Sequence, residues 1–404
     1  MEVKNSVMLK KLIEKLDKMT DIERAQYLVR VGLSGRSFRQ TNEELAMSIL
    51  NVLRVNSAEK AKNRKYERHS SSGFGIRNVK VDNHWVDFTN RPFKIIHPTL
   101  LCFGGNGVIS TQKANGFCGI AERLIGLRGK EFERTHKIID LLGFYYGTDN
   151  KEQTAGKFIE TERKQVLERL LLPLFLNENG SLVDLSVACN NFSMVNFFSH
   201  CHGGSEVRLL LSDLREELIR RGYTEDDVKL IYSYSMQVSY STLDDTSLVP
   251  TVRIESMTDS FHRGMSKEYE RLYKEKLDGI SLVVENEGEF KYAKRVKDRN
   301  YKLLTIYTSR LLNLESNRDM SRLIDEHTIE YLDRDQDWNI TEKAKGAKNA
   351  DLVSILIGYA LDWALSKSAS LDNNIKGKKK TNFDELINDL GWFIDCFSPE
   401  DLKI

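Results

Sequence analysis

The 404-residue chain has only five cysteines, Cys102, Cys118, Cys189, Cys201 and Cys396, and no two of them form a CxxC pair. Their odd number and wide spacing argue against a zinc site or a disulfide framework, so reduced thiols in a reducing compartment are expected. Charge of one sign is missing as well: 60 Lys plus Arg stand against 59 Asp plus Glu, a net charge of +1. No global field draws the chain to nucleic acid or to an acidic membrane, and partners must be recognised locally. Long apolar runs are absent too, since no segment reaches the roughly 18 apolar residues of a membrane span. The N-terminus, Met1 to Met19, is amphipathic and charged without the apolar centre of a signal peptide. Cytoplasmic residence, or delivery into a host cell by a dedicated secretion system, fits these absences. The sequence has no internal repeat, low-complexity tract, dinucleotide fingerprint or metal-ligand cluster, so no cofactor and no metal are expected.

What is present divides into three parts. At 46.5 kDa the chain has ample core for one large domain with additions, or for two. Residues 1–60 show apolar positions three and four apart, in Leu9, Leu12, Ile13 and Leu16 and again in Leu45, Ile49 and Leu53, which predicts a helical N-terminal module. The polar run from Ser57 to Gly73 reads as a solvated connection; its basic residues have almost no aromatics beside them to stack bases. Residues 75–300 then carry short strand-like runs: Val79 to Val81, Trp85 to Phe88, Thr99 to Phe103, Ile138 to Tyr146, Val195 to Phe198, Val228 to Tyr240 and Thr251 to Met257. Helical spacing separates several of them, around Ala114 to Leu127, at 155–176, at 181–192 and after Glu206. Strands alternating with helices imply crossover connections, so the fold class expected is α/β with a mainly parallel sheet. Ile280 to Val284 and Phe290 to Tyr292 read as a hairpin or closing strand pair, after a charged helix over Glu268 to Leu277. Residues 301–404 are expected to be a helical C-terminal region, with Asp351 to Leu365 a core or interface helix, a solvated basic loop from Asn373 to Thr381, and a last amphipathic helix over Phe383 to Phe397.

The most informative stretch runs from Val195 to Glu206. An apolar strand breaks at Ser199-His-Cys-His-Gly-Gly204 into an amphipathic helix whose Val207, Leu210, Leu211, Leu214, Leu218 and Ile219 recur at helical spacing. Strand, small-residue turn and helix in that order match the nucleophile-elbow pattern, with Cys201 in the nucleophile slot. A helix N-terminus favours a thiolate, and glycines after the turn let the helix pack close to the strand. The plainer alternative is a half-buried structural thiol in an ordinary strand-to-helix turn.

Three landmarks give the block from about 75 to 265 a resemblance to the α/β-hydrolase superfamily. Phe103-Gly-Gly-Asn-Gly107 resembles the family's F-H-G-N-G oxyanion loop, with Gly104 where the family has His. Leu142 to Gly147 resembles the strand and turn often written D-Y-R-G-x-G, and Ser199 to Gly204 resembles G-x-S-x-G-G, with Ser199 for the first Gly and Cys201 for Ser. The resemblance implies an α/β-hydrolase-like sheet with helical N- and C-terminal additions and a hydrolase or acyl-transfer chemistry on an ester, thioester or amide.

That chemistry needs a nucleophile, a base, a group orienting the base and fixed oxyanion donors. Cys201 is the candidate nucleophile. The backbone N–H of His202 is the first candidate donor, and the backbone at Gly105 and Asn106 the second. His262, just beyond a predicted strand with Asp259 three residues before it, is the preferred base; Asp245 or Asp244 is the candidate acid, and His327 the second choice of base. A small-molecule or acyl substrate is the expected ligand, with a partner or host protein recognised through the helical ends.

Two other classes compete. His202 to Glu206 satisfies H-x-x-x-E and, with an upstream serine, resembles the S-HxxxE motif of bacterial toxin and effector AMP-transferases, in which a His base and an orienting Glu would serve nucleotidyl transfer. The missing Gly at 199 and missing His at 104 instead suit a degraded site on a protein-interaction module.

Overall fold

The computed structural model describes residues 71–78, 84–105, 107–126, 139–146, 160–242, 248–256, 279–284, 290–295, 303–308 and 350–369. The expected N-terminal module, the helix over Glu268 to Leu277, the basic loop at Asn373 to Thr381 and the last helix over Phe383 to Phe397 lie outside the described residues.

Ten strands form one sheet: β1 (Gly73–Asn78), β2 (His84–Asp87), β3 (Thr99–Phe103), β4 (Asp140–Tyr145), β5 (Val195–His200), β6 (Gln237–Tyr240), β7 (Thr251–Ser256), β8 (Gly279–Val284), β9 (Phe290–Arg295) and β10 (Leu303–Thr308). Their order across the sheet is β2-β1-β4-β3-β5-β6-β7-β10-β8-β9. The run from β4 to β8 is parallel throughout, while β1 is antiparallel to β4 and β9 antiparallel to β8. The class is therefore α/β with a mainly parallel sheet. Every residue of β3 and β5 is buried, the mark of strands covered on both faces.

The helices are α1 (Thr111–Gly126), α2 (Glu160–Val166), α3 (Leu185–Phe192), α4 (Gly203–Arg221), α5 (Glu225–Tyr232) and α6 (Ala350–Ala369). On one face, Leu100, Cys102, Phe198, Val238, Val252 and Ile254 pack with α1 and α6. On the other, Leu101, Phe103 and Phe197 pack with Val207, Leu210, Leu211 and Leu214 of α4 and with Phe192 and Ile231. Each fully buried Phe or Leu contributes about 1.5–3 kcal/mol relative to exposure. The apolar stripe along α4 and the apolar run of α6 place these helices on the two faces.

The sequence reading differs from the structure at four places. The first strand is β1 at Gly73–Asn78, ahead of the expected run Val79 to Val81, which lies outside the described residues. Val228 to Tyr240 is a helix through Tyr232 and only then a strand. The reason is a capping box: Thr224 Oγ1 accepts from the Asp227 amide at 3.1 Å while Asp227 Oδ2 accepts from the Thr224 amide at 2.9 Å. The expected helix at 155–176 is α-helical over Glu160–Val166, a π turn over Leu167–Leu171 and a 3₁₀ turn over Leu172–Phe175. Pro173 lacks the N–H that would continue the α ladder there. Finally, β10 lies inside the segment read as helical from 301, and it is inserted between β7 and β8.

Helix α6 crosses α1 at Gly358, where an added Cβ would stand 2.0 Å from the carbonyl oxygen of Leu124. Among the described residues no helix is long and apolar enough to cross a membrane.

Candidate functional site

The central parallel strands β3 and β5 end side by side, with Phe103 paired to Ser199, and the chain turns into a helix soon after each. Beyond β5 only Cys201 and His202 separate strand from α4. Cys201 has φ 54°, in the left-handed region that costs a non-glycine residue about 1–2 kcal/mol. Hydrogen bonds hold it there. Its N–H donates to the Tyr240 carbonyl, and its own carbonyl accepts from the Gly204 amide and from Thr242 Oγ1, each at 3.3 Å.

The following glycines are required by contact. A Cβ at Gly203 would stand 2.0 Å from the Phe103 carbonyl oxygen and 2.7 Å from that of Gly104, both backbone atoms. A Cβ at Gly204 would stand 1.9 Å from Thr242 Oγ1. The first turn of α4 is thus pressed against the end of β3, and the 19-residue helix points its N-terminus at the site.

The loop after β3 lies over the elbow. A Cβ on Gly105 would be 3.1 Å from Cys201 Cβ and 3.5 Å from both Cys201 Sγ and His200 Nδ1, so the Gly105 backbone rests on the thiol. The loop is a compact turn, with Val108 N–H donating to Gly105 O at 3.0 Å and Ile109 N–H to Gly107 O at 3.1 Å. Tyr146, just past β4, secures it twice: its N–H donates to Val108 O at 2.9 Å and its hydroxyl to Gly104 O at 2.8 Å. Burial, reinforced by the charges of Glu206 and Cys201, pushes the Tyr146 hydroxyl well above its usual range, so it remains a neutral donor.

Behind the elbow, His202 Nε2 and Glu206 Oε1 are 2.9 Å apart, on side chains 2% and 0% exposed. The i,i+4 spacing on α4 brings them together. The second carboxylate oxygen of Glu206 is buried without a hydrogen-bond partner. The Tyr146 ring meets His202 edge-on, with centroids 6.5 Å apart and planes at 62°. Next to the elbow, a second strained residue follows β6 directly, Ser241 at φ 45°, whose hydroxyl is buried and without a partner.

Of the residues singled out in the sequence, Cys201, Gly105, His202 and Glu206 come together here. Asn106, Asp244, Asp245, Asp259, His262 and His327 lie outside the described residues. Sequence reading missed Tyr146, Ser241 and Thr242 as members of the site. Tyr146 closes an apolar run and looks like strand; Ser241 and Thr242 look like a polar loop, and only the β5–β6 register sets them beside Cys201. Burial first, then neighbouring Cys118, raises the Cys102 thiol well above its usual range, and Cys102, Cys118, Cys189 and Cys201 are all buried and outside any disulfide. Among the described residues no group of three or more His, Cys, Asp or Glu is arranged to hold a metal ion.

An elbow of this geometry sets a thiol at a helix N-terminus with a glycine loop against it, two of the four parts that acyl transfer requires. No protein-family model matches the chain, and no curated protein matches it in sequence.

Proposed function

We propose that the chain is a hydrolase or acyl-transfer enzyme of α/β-hydrolase type, with Cys201 as nucleophile toward an ester, thioester or amide. The observation that carries this reading is the φ of 54° at Cys201, at the tip of a central parallel strand, with Gly105 packed so close that an added Cβ would stand 3.1 Å from Cys201 Cβ and 3.5 Å from its Sγ. Strained non-glycine backbone persists only where the surroundings enforce it, and it clusters at functional sites. Cys201 Sγ attacks the substrate carbonyl; the His202 amide, with the backbone at Gly105 and Asn106, receives the oxyanion. His262 serves as base with Asp245 or Asp244 as its acid, and His327 is the substitute base. The site works without a cofactor. Placement in a cytoplasm, native or host, keeps the thiol reduced.

Intact-mass spectrometry after brief exposure to iodoacetamide at neutral pH tests this, comparing wild type with Cys201→Ala. Wild type gains one adduct faster than an unperturbed thiol does, and the variant does not. Labelling no faster than that of an ordinary thiol overturns the nucleophile.

A second reading, nucleotidyl transfer by His202 as base with Glu206 orienting it, is favoured by the 2.9 Å pair and by the unpartnered Glu206 Oε2. With ATP and candidate acceptor proteins, Glu206→Ala then abolishes AMP transfer while Cys201→Ala leaves it in place; the opposite pattern excludes it.

A further inference from the structure

We infer that Tyr146 is the positioning residue of this site, its hydroxyl fixing the Gly104–Gly105 peptide so that the Gly105 N–H is held over Cys201. The inference rests on the nucleophile reading of Cys201.

A trans peptide is planar, with its C=O and N–H pointing in opposite directions. The Gly104 carbonyl and the Gly105 N–H belong to one such plane, so whatever fixes the carbonyl aims the N–H. A peptide between two glycines is the one most free to turn over, because neither flanking residue restricts φ and ψ through a Cβ. Here the carbonyl is held at 2.8 Å by Tyr146 Oη. The Tyr146 main chain also ties down Val108, and Gly105 O accepts from Val108 N–H, so both ends of the turn depend on this residue. The other side of the loop is fixed by α4, since Gly203 presses on the Phe103 and Gly104 carbonyls.

Tyr146 is itself braced. The His202 ring lies against it edge-on, and Glu206 holds His202 at 2.9 Å. The buried His202–Glu206 pair is then a strut: Glu206 locks His202, His202 locks Tyr146, and Tyr146 aims the loop. None of the three side chains has to touch the substrate.

Two reactions of the same thiol separate this role from general support. With iodoacetamide, the Sγ–carbon bond forms as iodide leaves a saturated carbon, and no carbonyl-derived oxyanion develops on the carbon attacked. With p-nitrophenyl acetate, the thiolate adds to the carbonyl carbon and the C=O pair moves onto oxygen; collapse expels p-nitrophenolate and leaves an acetyl thioester, the thiol proton having passed to the base and from it to solvent. The readout is the ratio of acylation to alkylation rates in the full chain, with thermal melting followed alongside. Because the donor is misaimed rather than deleted, Tyr146→Phe is expected to lower the ratio about tenfold, short of the roughly 10²–10³-fold cost of removing an oxyanion donor. Glu206→Gln, which keeps an acceptor for His202, lowers it by a smaller factor. A merely destabilised protein slows or speeds both reactions together and leaves the ratio in place.

A ratio unchanged in whichever of the two variants folds, with wild-type Cys201 faster than a free thiol toward both reagents, overturns the positioning role and leaves the nucleophile standing. A wild-type Cys201 no faster than a free thiol toward either reagent overturns the nucleophile, and this inference with it.

Discussion

Gly358 of α6 and Gly203 of α4 each bring a helix so near a neighbouring backbone that a Cβ would stand 2.0 Å from a carbonyl oxygen. Around Gly358 the neighbours are apolar side chains of α1, α6 and the sheet, among them Leu124, Leu356, Ile357 and Leu361. Around Gly203 stand a thiol at positive φ, a buried His–Glu pair with an orphan oxygen, and a glycine loop fixed by a tyrosine. The same device of close approach serves packing in one place, and in the other it holds groups that packing alone would reject. A left-handed Cys201 and an unsatisfied Glu206 oxygen each cost stability, about 1–3 kcal/mol apiece. They persist because α4 is clamped to β3 and β6 on both sides of the turn.

The comparison is broken most severely by adding one methyl at each contact. Gly203→Ala and Gly358→Ala should each lower unfolding free energy by about 3 kcal/mol, since the obstacle is backbone that must shift. Denaturant titration reads that loss. Only Gly203→Ala should also change the ratio of acylation to alkylation at Cys201; a shared loss of that ratio would abolish the distinction between the two helices.

Alkali sharpens it next. On the α4 face, burial raises the hydroxyls of Tyr146 and Tyr232 well above the usual tyrosine range, and that of Tyr223 to about 12. The folded state therefore binds these protons more tightly than the unfolded chain. Their contribution is fully present below pH 10 and is lost as the pH rises through the unfolded value toward the folded ones. Urea midpoints should be flat in this respect up to about pH 9 and fall steeply above pH 10, and Tyr223→Phe should soften that fall.

The smallest effect is expected at Ser241. Glycine there removes both the left-handed strain and the buried hydroxyl, so Ser241→Gly should raise stability by about 1 kcal/mol, less the flexibility glycine gives the unfolded chain. A fall in melting temperature would mean that the unpartnered hydroxyl supports the fold after all.

Much of the sheet was legible in the sequence because its strands are short apolar runs set off by turns and helices; β3 at Thr99–Phe103 was readable to the residue. The elbow was legible for a different reason, the run of small residues after an apolar strand. Val228 to Ile231 misled because β-branched, apolar residues suit strand and helix alike, and the decision was made upstream by Thr224 and Asp227. β10 was hidden by its long-range pairing, since its neighbours β7 and β8 both precede it in the chain. Within the site, spacing revealed Cys201, His202 and Glu206, which are local to one turn and one helix. Tyr146 is 55 or more residues from them, and nothing in a linear pattern links a strand-end tyrosine to the Gly104 carbonyl 42 residues earlier.

The late position of α6 has a consequence for the chain as it is being made. β5, β6 and β7 are complete by Ser256, yet the helix that shields Phe198, Val238 and Val252 ends at Ala369, 113 residues later. At roughly 5–20 residues per second of synthesis, the half-covered sheet waits on the order of ten seconds at the ribosome. Through that interval its apolar face is a surface for chaperones to hold, and a chain terminated before Ala350 keeps that surface permanently.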